Sequence, residues 1–162
     1  MSVTLEVLSV ILVAIAMALA LAHALELPGK MRLGKEQYLA VQTIYYPGFT
    51  LGGIAEPAAI IAVLVLLLVG PEGTARAWLI AGALVALIAM HLVFWIMTQP
   101  VNRFWVSDTQ LTAPAQRFFG SAGAGPAMPD WTALRDRWER SHLLRAIAAM
   151  LSLILLVTAI AL

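Results

Sequence analysis

The chain has no cysteine, which excludes disulfides, thiolate metal ligands and thiol redox chemistry together. Charge is scarce as well: Asp, Glu, Lys and Arg make up 12% of its 162 residues, about half of what a soluble domain carries. The formal net charge of +1 is too small to point to a nucleic-acid partner. No Lys or Arg precedes Lys30, and Glu6 stands where a secretory leader would carry positive charge. The first apolar run therefore reads as a membrane helix and not as a cleaved signal. "GSAGAGPA" has alternate glycines but no P-loop lysine and no strand before it, so a phosphate cradle is set aside.

Hydrophobic residues, by contrast, make up 62% of the chain. A membrane-spanning helix needs roughly 20 mostly apolar residues, and four stretches qualify: about 3–27, 49–69, 75–98 and 131–162, the last apolar from about 143. The fold class is all-α, an integral membrane four-helix bundle forming a single domain over residues 1–162. Pro28 and Gly29 are expected to end the first helix, and Gln99 and Pro100 the third. Pro57 is expected to kink the second. Asp130 reads as the N-cap of the fourth. A short helical pattern precedes Tyr45, Tyr46 and Pro47, whose rings suit the headgroup level. Trp131 and Trp138, seven residues apart, read as interfacial anchors, and the stripe Ala16, Ala20, His23 as a site of close helix packing. The connection 99–130 is the longest. Its "NRFWVSDTQLTAPAQRFF" can lie on the membrane surface, and "SAGAGPAMPDW" reads as loop.

Nine basic residues (Lys30, Arg32, Lys35, Arg103, Arg117, Arg135, Arg137, Arg140 and Arg145) fall in the first and third connections or beside them, against Arg76 alone on the other side. The positive-inside rule then puts both termini on the non-cytoplasmic side. Richness in Ala and Leu, with Arg favoured over Lys, suggests a bacterial inner (cytoplasmic) membrane and a multi-pass protein. A reporter fused after Leu162 is expected to act in the periplasm, and one inserted within residues 120–127 in the cytoplasm. The reverse pattern would invert the orientation.

With that topology His23 and Glu26 sit at the cytoplasmic end of helix 1, Glu56 and His91 in the cytoplasmic halves of helices 2 and 3, and Glu139 and His142 at the start of helix 4. All three histidines thus fall in one slab. His23 and Glu26 are three apart and share a helix face. Glu139-Arg-Ser-His142 is a Glu-x-x-His element, which carboxylate-bridged di-metal bundles use twice. His23, Glu26, Glu56, His91, Glu139 and His142 are accordingly the candidate metal ligands, and imidazole with carboxylate suits iron, manganese or zinc. His91 lies roughly 12 Å of helix from its cytoplasmic end, so tilt or kinking must bring it level with His142. Two other readings stand beside this one: a polar substrate pocket without metal, and groups that only hydrogen-bond helices together. Glu56 is the least suited to a packing role, because a lone carboxylate in hydrocarbon is costly. Trp95, one turn after His91, can wall a ring-shaped substrate or serve as an anchor.

The ordered set "HALELPGKMRL", "YYPGFTLGGIAEP", "QPVNRFW" and "RDRWERSHLLR" on four spans resembles small bacterial membrane proteins of the anthrone-oxygenase-like family. The likeness covers most of the chain. Its most specific part is Asn102 after helix 3, followed by Trp138, His142 and Arg145 at the start of helix 4. The family's better-known fungal members are oxygenases that convert anthrones to anthraquinones without an established cofactor. The resemblance implies O₂ chemistry on a lipophilic aromatic. The His23/Glu26 pair is not carried over from it. The reading adopted is an oxidoreductase or oxygenase acting on an aromatic or quinol-like compound from the lipid bilayer. In it His23, Glu26, Glu56, His91, Glu139 and His142 bind a metal or move protons, Glu56 being the catalytic candidate among them. Asn102 and Arg145 orient substrate or a carboxylate. The competing class is a non-catalytic membrane subunit or small transporter whose polar residues fix helix packing; a monomer and a homo-oligomer both accommodate either reading. No ionisable residue occurs from 57 to 71, which counts against a through-path.

Overall fold

The computed structural model describes residues 3–70, 72–105 and 130–162, with 103–105 as backbone only. The two segments expected on the membrane surface and in the long loop fall mostly on residues 106–129, outside the described residues. Among the described residues, seven α-helices follow in order: α1 (Val3–Lys30), α2 (Lys35–Gln42), α3 (Gly48–Gly52), α4 (Ala55–Leu68), α5 (Thr74–Val93), α6 (Gln99–Trp105) and α7 (Trp131–Ala161). A 3₁₀ turn, Thr43–Tyr45, links α2 to α3, and a π-helical segment, Phe94–Thr98, joins α5 to α6. The described residues contain no strand. Among the described residues, four helical spans are long and apolar enough to cross a membrane: Val3–Lys30, Gly48–Leu68, Thr74–Asn102 and Trp131–Ala161. The protein is thus a multi-pass, all-helical membrane protein.

Buried positions on α1 run Ser9, Val13, Ala16, Ala20, His23 and Lys30, an alternation of three- and four-residue steps with position 27 skipped. That repeat keeps one seam facing its neighbours along the whole helix. On α4 the seam is Glu56, Ala59, Val63 and Leu66. α1 packs on α4, α4 on α5, α5 on α7, and α7 returns to α1. Lipid tails are as apolar as leucine, so close backbone approach at small residues holds such helices together. Ala16, Ala20, Ala146 and Ala149 form such a layer with Met90. Below it lies an apolar layer built on Val13, Val63, Leu66, Ile80, Leu87 and Leu156. Ser152 adds an interhelical bond, its hydroxyl donating to the Ala83 carbonyl at 2.9 Å.

The prolines behave differently from expectation at both helix ends. α1 runs through Pro28 to Lys30, and the Met31 amide still reaches the Leu27 carbonyl at 3.0 Å. The third span likewise passes Pro100 into α6, so the connection expected to begin at 99 begins later. Pro100 has no N–H for the Ile96 carbonyl one turn back. Nη2 of Arg137 on α7 donates to that oxygen at 2.7 Å, so the carbonyl keeps a partner. Pro57 interrupts its span as expected. The Gly53 carbonyl four residues before it takes the Glu56 amide at 3.1 Å, and the break at Gly53–Ile54 separates α3 from α4. Asp130 caps α7, accepting from the Thr132 amide at 3.0 Å. The turn between α4 and α5 uses Gly70 and Gly73, both at φ +86°.

Glu6 and Arg76 pair near the N-termini of α1 and α5, each side chain mostly buried. That end of the bundle therefore carries an ion pair.

Candidate functional site

Ionisable groups gather at the opposite end of the bundle, in two adjoining groups. The first is built on α4, α5 and α7. Glu56 faces inward because it occupies the α4 seam, and its side chain is 6% exposed. Its Oε2 accepts from Nη2 of Arg145 at 2.6 Å, and its Oε1 lies 3.0 Å from Nδ1 of His91. The indole N–H of Trp95, one turn further along, donates to His91 Nε2 at 2.9 Å. An indole nitrogen can only donate. Nε2 is therefore the acceptor, the imidazole proton sits on Nδ1, and Nδ1 donates to Glu56. The tautomer thus follows from the two partners. The π-helical turn starts just after His91, and such turns re-aim side chains that a regular helix would place elsewhere.

The second group joins α1, α2, the 3₁₀ turn and α7. Lys30, 3% exposed, places Nζ 3.2 Å from Glu139 Oε1 and 3.5 Å from Glu26 Oε2. The Tyr38 hydroxyl donates to the same Glu139 oxygen at 2.7 Å, and the Tyr45 hydroxyl donates to Glu26. The ammonium also lies over the Trp138 ring, 4.7 Å from its centroid. His23 packs its ring 4.2 Å from His142 and 5.0 Å from Trp138, between Tyr45 and Phe49. Its Nδ1 is 3.9 Å from Glu26. Nδ1 of His142 donates to the Trp138 carbonyl at 2.9 Å. The Trp138 indole donates to Asn102 Oδ1 at 2.9 Å. Asn102 thus positions a tryptophan, and Arg145 orients the Glu56 carboxylate.

Burial, followed by the bond to Glu139, pushes the Tyr38 phenol well above the ordinary tyrosine value; burial and then Glu26 do the same for Tyr45. Both phenols stay protonated donors in the folded chain. A raised folded value means that the unfolded chain releases these protons first, so their contribution is complete below pH 10.0 and declines above it. Thermal stability of the protein in micelles is expected to fall above that pH, and less steeply in Tyr38→Phe. A fall of equal steepness in both proteins would remove Tyr38 as its source.

The six expected metal ligands are therefore split. Glu56 and His91 lie in one group; His23, Glu26, Glu139 and His142 lie in the other. Among the described residues no three His, Asp or Glu side chains come together in a way that could hold a metal ion. Protein cations stand where a metal would: Lys30 between Glu26 and Glu139, and Arg145 on Glu56. Two residues expected as interfacial anchors, Tyr45 and Trp138, turn into the bundle, 8% and 4% exposed. Lys30, Tyr38, Tyr45 and Phe49 were not among the expected site residues. Lys30 was within reach of sequence reasoning, because the α1 seam steps from Ser9 through His23 onto position 30.

The anthrone oxygenase family model matches residues 42–155. The chain belongs to the anthrone oxygenase family. No curated protein and no solved structure matches it. The anthrone oxygenase match begins at the end of α2 and closes late in α7. It contains Glu56, His91, Trp95 and Arg145, the whole of the first group. From the second it contains Tyr45, Asn102, Trp138, Glu139 and His142, while His23, Glu26, Lys30 and Tyr38 precede it. The Glu56–His91 pair is thus built wholly from the part of the chain that makes it an anthrone oxygenase family member.

Proposed function

We propose that the protein is a membrane-embedded oxygenase that takes an anthrone-like aromatic from the bilayer, with the Glu56–His91 pair as its base. The observation that carries this reading is the His91 ring. Nδ1 is held by Glu56, and Nε2 is turned as an acceptor toward a half-open, lipid-facing edge where the side chain is 33% exposed. General-base catalysis needs a positioned acceptor within hydrogen-bond reach of an acidic proton. The methylene of an anthrone, flanked by two aryl rings, carries such a proton, as does the hydroxyl of its enol.

Removal of that proton leaves an electron-rich anion that O₂ can oxidise. Carbon loses two C–H bonds and gains a C=O. One oxygen atom enters the ketone, the other leaves as water, and the four electrons released by carbon reduce O₂. His91 accepts the first proton at Nε2, and the Glu56 carboxylate stabilises the imidazolium that forms. The Arg145 guanidinium, bonded to Glu56 and 5.1 Å from the Phe94 centroid, supplies positive charge beside the site. Apolar O₂ partitions into lipid, so both reactants reach this edge from the bilayer. No step is routed through a metal ion, since each carboxylate already faces a side-chain cation. The second group supports the site by packing: Lys30, Tyr38 and Tyr45 hold the carboxylates that join α1 to α7.

Oxygen uptake by the reconstituted protein with anthrone, against vesicles without protein, tests the reading. Uptake of one O₂ per anthraquinone formed is expected. Glu56 and His91 are then expected to act together, so His91→Gln should lower the rate by about a hundredfold, the lower range for loss of a general base. Wild-type uptake no faster than in empty vesicles would overturn the assignment.

A further inference from the structure

Trp95 does more than wall the site. It is 48% exposed and flanked by Leu92 and Ile96, 52% and 62% exposed, so this edge of α5 faces lipid. A tryptophan at such a position usually directs its N–H toward water or headgroups. Here the N–H instead occupies Nε2 of His91, the one acceptor that the base would offer to a substrate. The occupant is a flat, two-ring N–H donor, which is the chemical description of a fused-ring phenol or enol with N–H in place of O–H.

We infer that Trp95 is a built-in surrogate for the substrate: it caps His91 Nε2 at rest and is displaced by a fused-ring aromatic bearing an O–H or enol donor. This inference rests on the reading of His91 as the base and names how that base selects its substrate. The surroundings fit the exchange. Phe94 lies nearly parallel to the imidazole, with centroids 6.5 Å apart, and meets the Trp95 ring edge-on at 5.3 Å. The space the indole vacates is therefore bordered by a second aromatic ring. Trp95 also belongs to the π-helical turn Phe94–Thr98. Single π-helical turns of this kind recur at functional sites. An apolar ring without a donor fits the same place but leaves Nε2 without a partner against an apolar surface, which carries a desolvation cost. Trp95 thereby discriminates by hydrogen bond as well as by shape.

The probes are β-naphthol and its O-methyl ether, which share one ring system and differ in the O–H. They are added without oxygen to nitrogen-15-labelled protein in nanodiscs. In the wild type, β-naphthol is expected to shift both the Trp95 indole N–H and the His91 ring resonances, and the ether to shift neither. Trp95→Phe keeps a ring but removes the competing donor. It should bind β-naphthol about fivefold more tightly, the ratio that matches one hydrogen bond of ordinary net strength. If β-naphthol moves His91 while the Trp95 N–H stays put and Trp95→Phe binds with wild-type affinity, the surrogate role is overturned and His91 stands as the base. If neither probe moves His91 in either protein, the reading of His91 as base fails, and the surrogate role with it.

Discussion

Glu56→Gln is expected to reduce turnover by about a hundredfold or more while leaving a folded, inserted protein. The reason lies in the two partners of this one carboxylate. Glutamate gives an acceptor oxygen to each, Oε2 to Arg145 at 2.6 Å and Oε1 to His91 at 3.0 Å. Glutamine has one acceptor and one donor end. A bond to a guanidinium is charge-assisted and roughly twice as strong as a neutral one, so Arg145 takes the amide oxygen. The amide NH₂ then faces His91 Nδ1, which must accept, and the imidazole proton moves to Nε2. The base has lost its lone pair on the substrate side. Nitrogen-15 shifts of the His91 ring report the tautomer separately from turnover. Unchanged turnover in a Glu56→Gln protein that has changed tautomer would show that His91 Nε2 is not the base. Glu56→Leu is a harsher change. It strands the Arg145 guanidinium, whose side chain is 12% exposed, and broken buried pairs of this kind cost about 3–5 kcal/mol.

Lys30→Met is expected to be the most destabilising substitution in the second group. It leaves Glu139, 3% exposed, beside Glu26 with no cation between them. Breaking a buried pair by removing one partner costs about 3–5 kcal/mol. Most of that comes from Glu139, since the Glu26 side chain is 39% exposed and its share is screened by solvent. The double variant Lys30→Met/Glu139→Gln removes the stranded charge and is expected to recover most of the loss, because the amide oxygen still accepts from Tyr38. Unfolding of the micellar protein in denaturing detergent measures both. A Lys30→Met protein as stable as the wild type would mean that the ammonium is not what ties α1 to α7.

The four spans were legible because the bilayer imposes the same demand on each: about 20 apolar residues whose backbone bonds close within the helix. The N-cap at Asp130 was legible for a similar reason, since its bond to the Thr132 amide is local. The prolines were read less well. Pro28 and Pro100 lack an N–H wherever they stand, but whether a helix stops there depends on what else reaches the freed carbonyl. At Ile96 it is Arg137, 41 residues away, and no local pattern announces that contact. Tyr45 and Trp138 misled in the same way. An amphipathic ring near a span end suits the headgroup level by composition, and only the position of Glu26 and Asn102 draws these two inward.

The sequence by itself determined that the chain crosses a membrane in four helices and that the histidines share one end of the bundle. Those properties follow from length, hydropathy and spacing along one chain. Only the tertiary structure decided the partners: Glu56 with Arg145 across 89 positions, Tyr38 with Glu139 across 101, and two groups in place of one ligand set. The physical reason is rotational. A helix turns about 100° per residue, so spacing shows which side chains share a face, but which faces oppose one another is set by packing of the small-residue seams. That packing put Lys30 between Glu26 and Glu139 and Arg145 on Glu56, and turned His91 Nε2 toward Trp95.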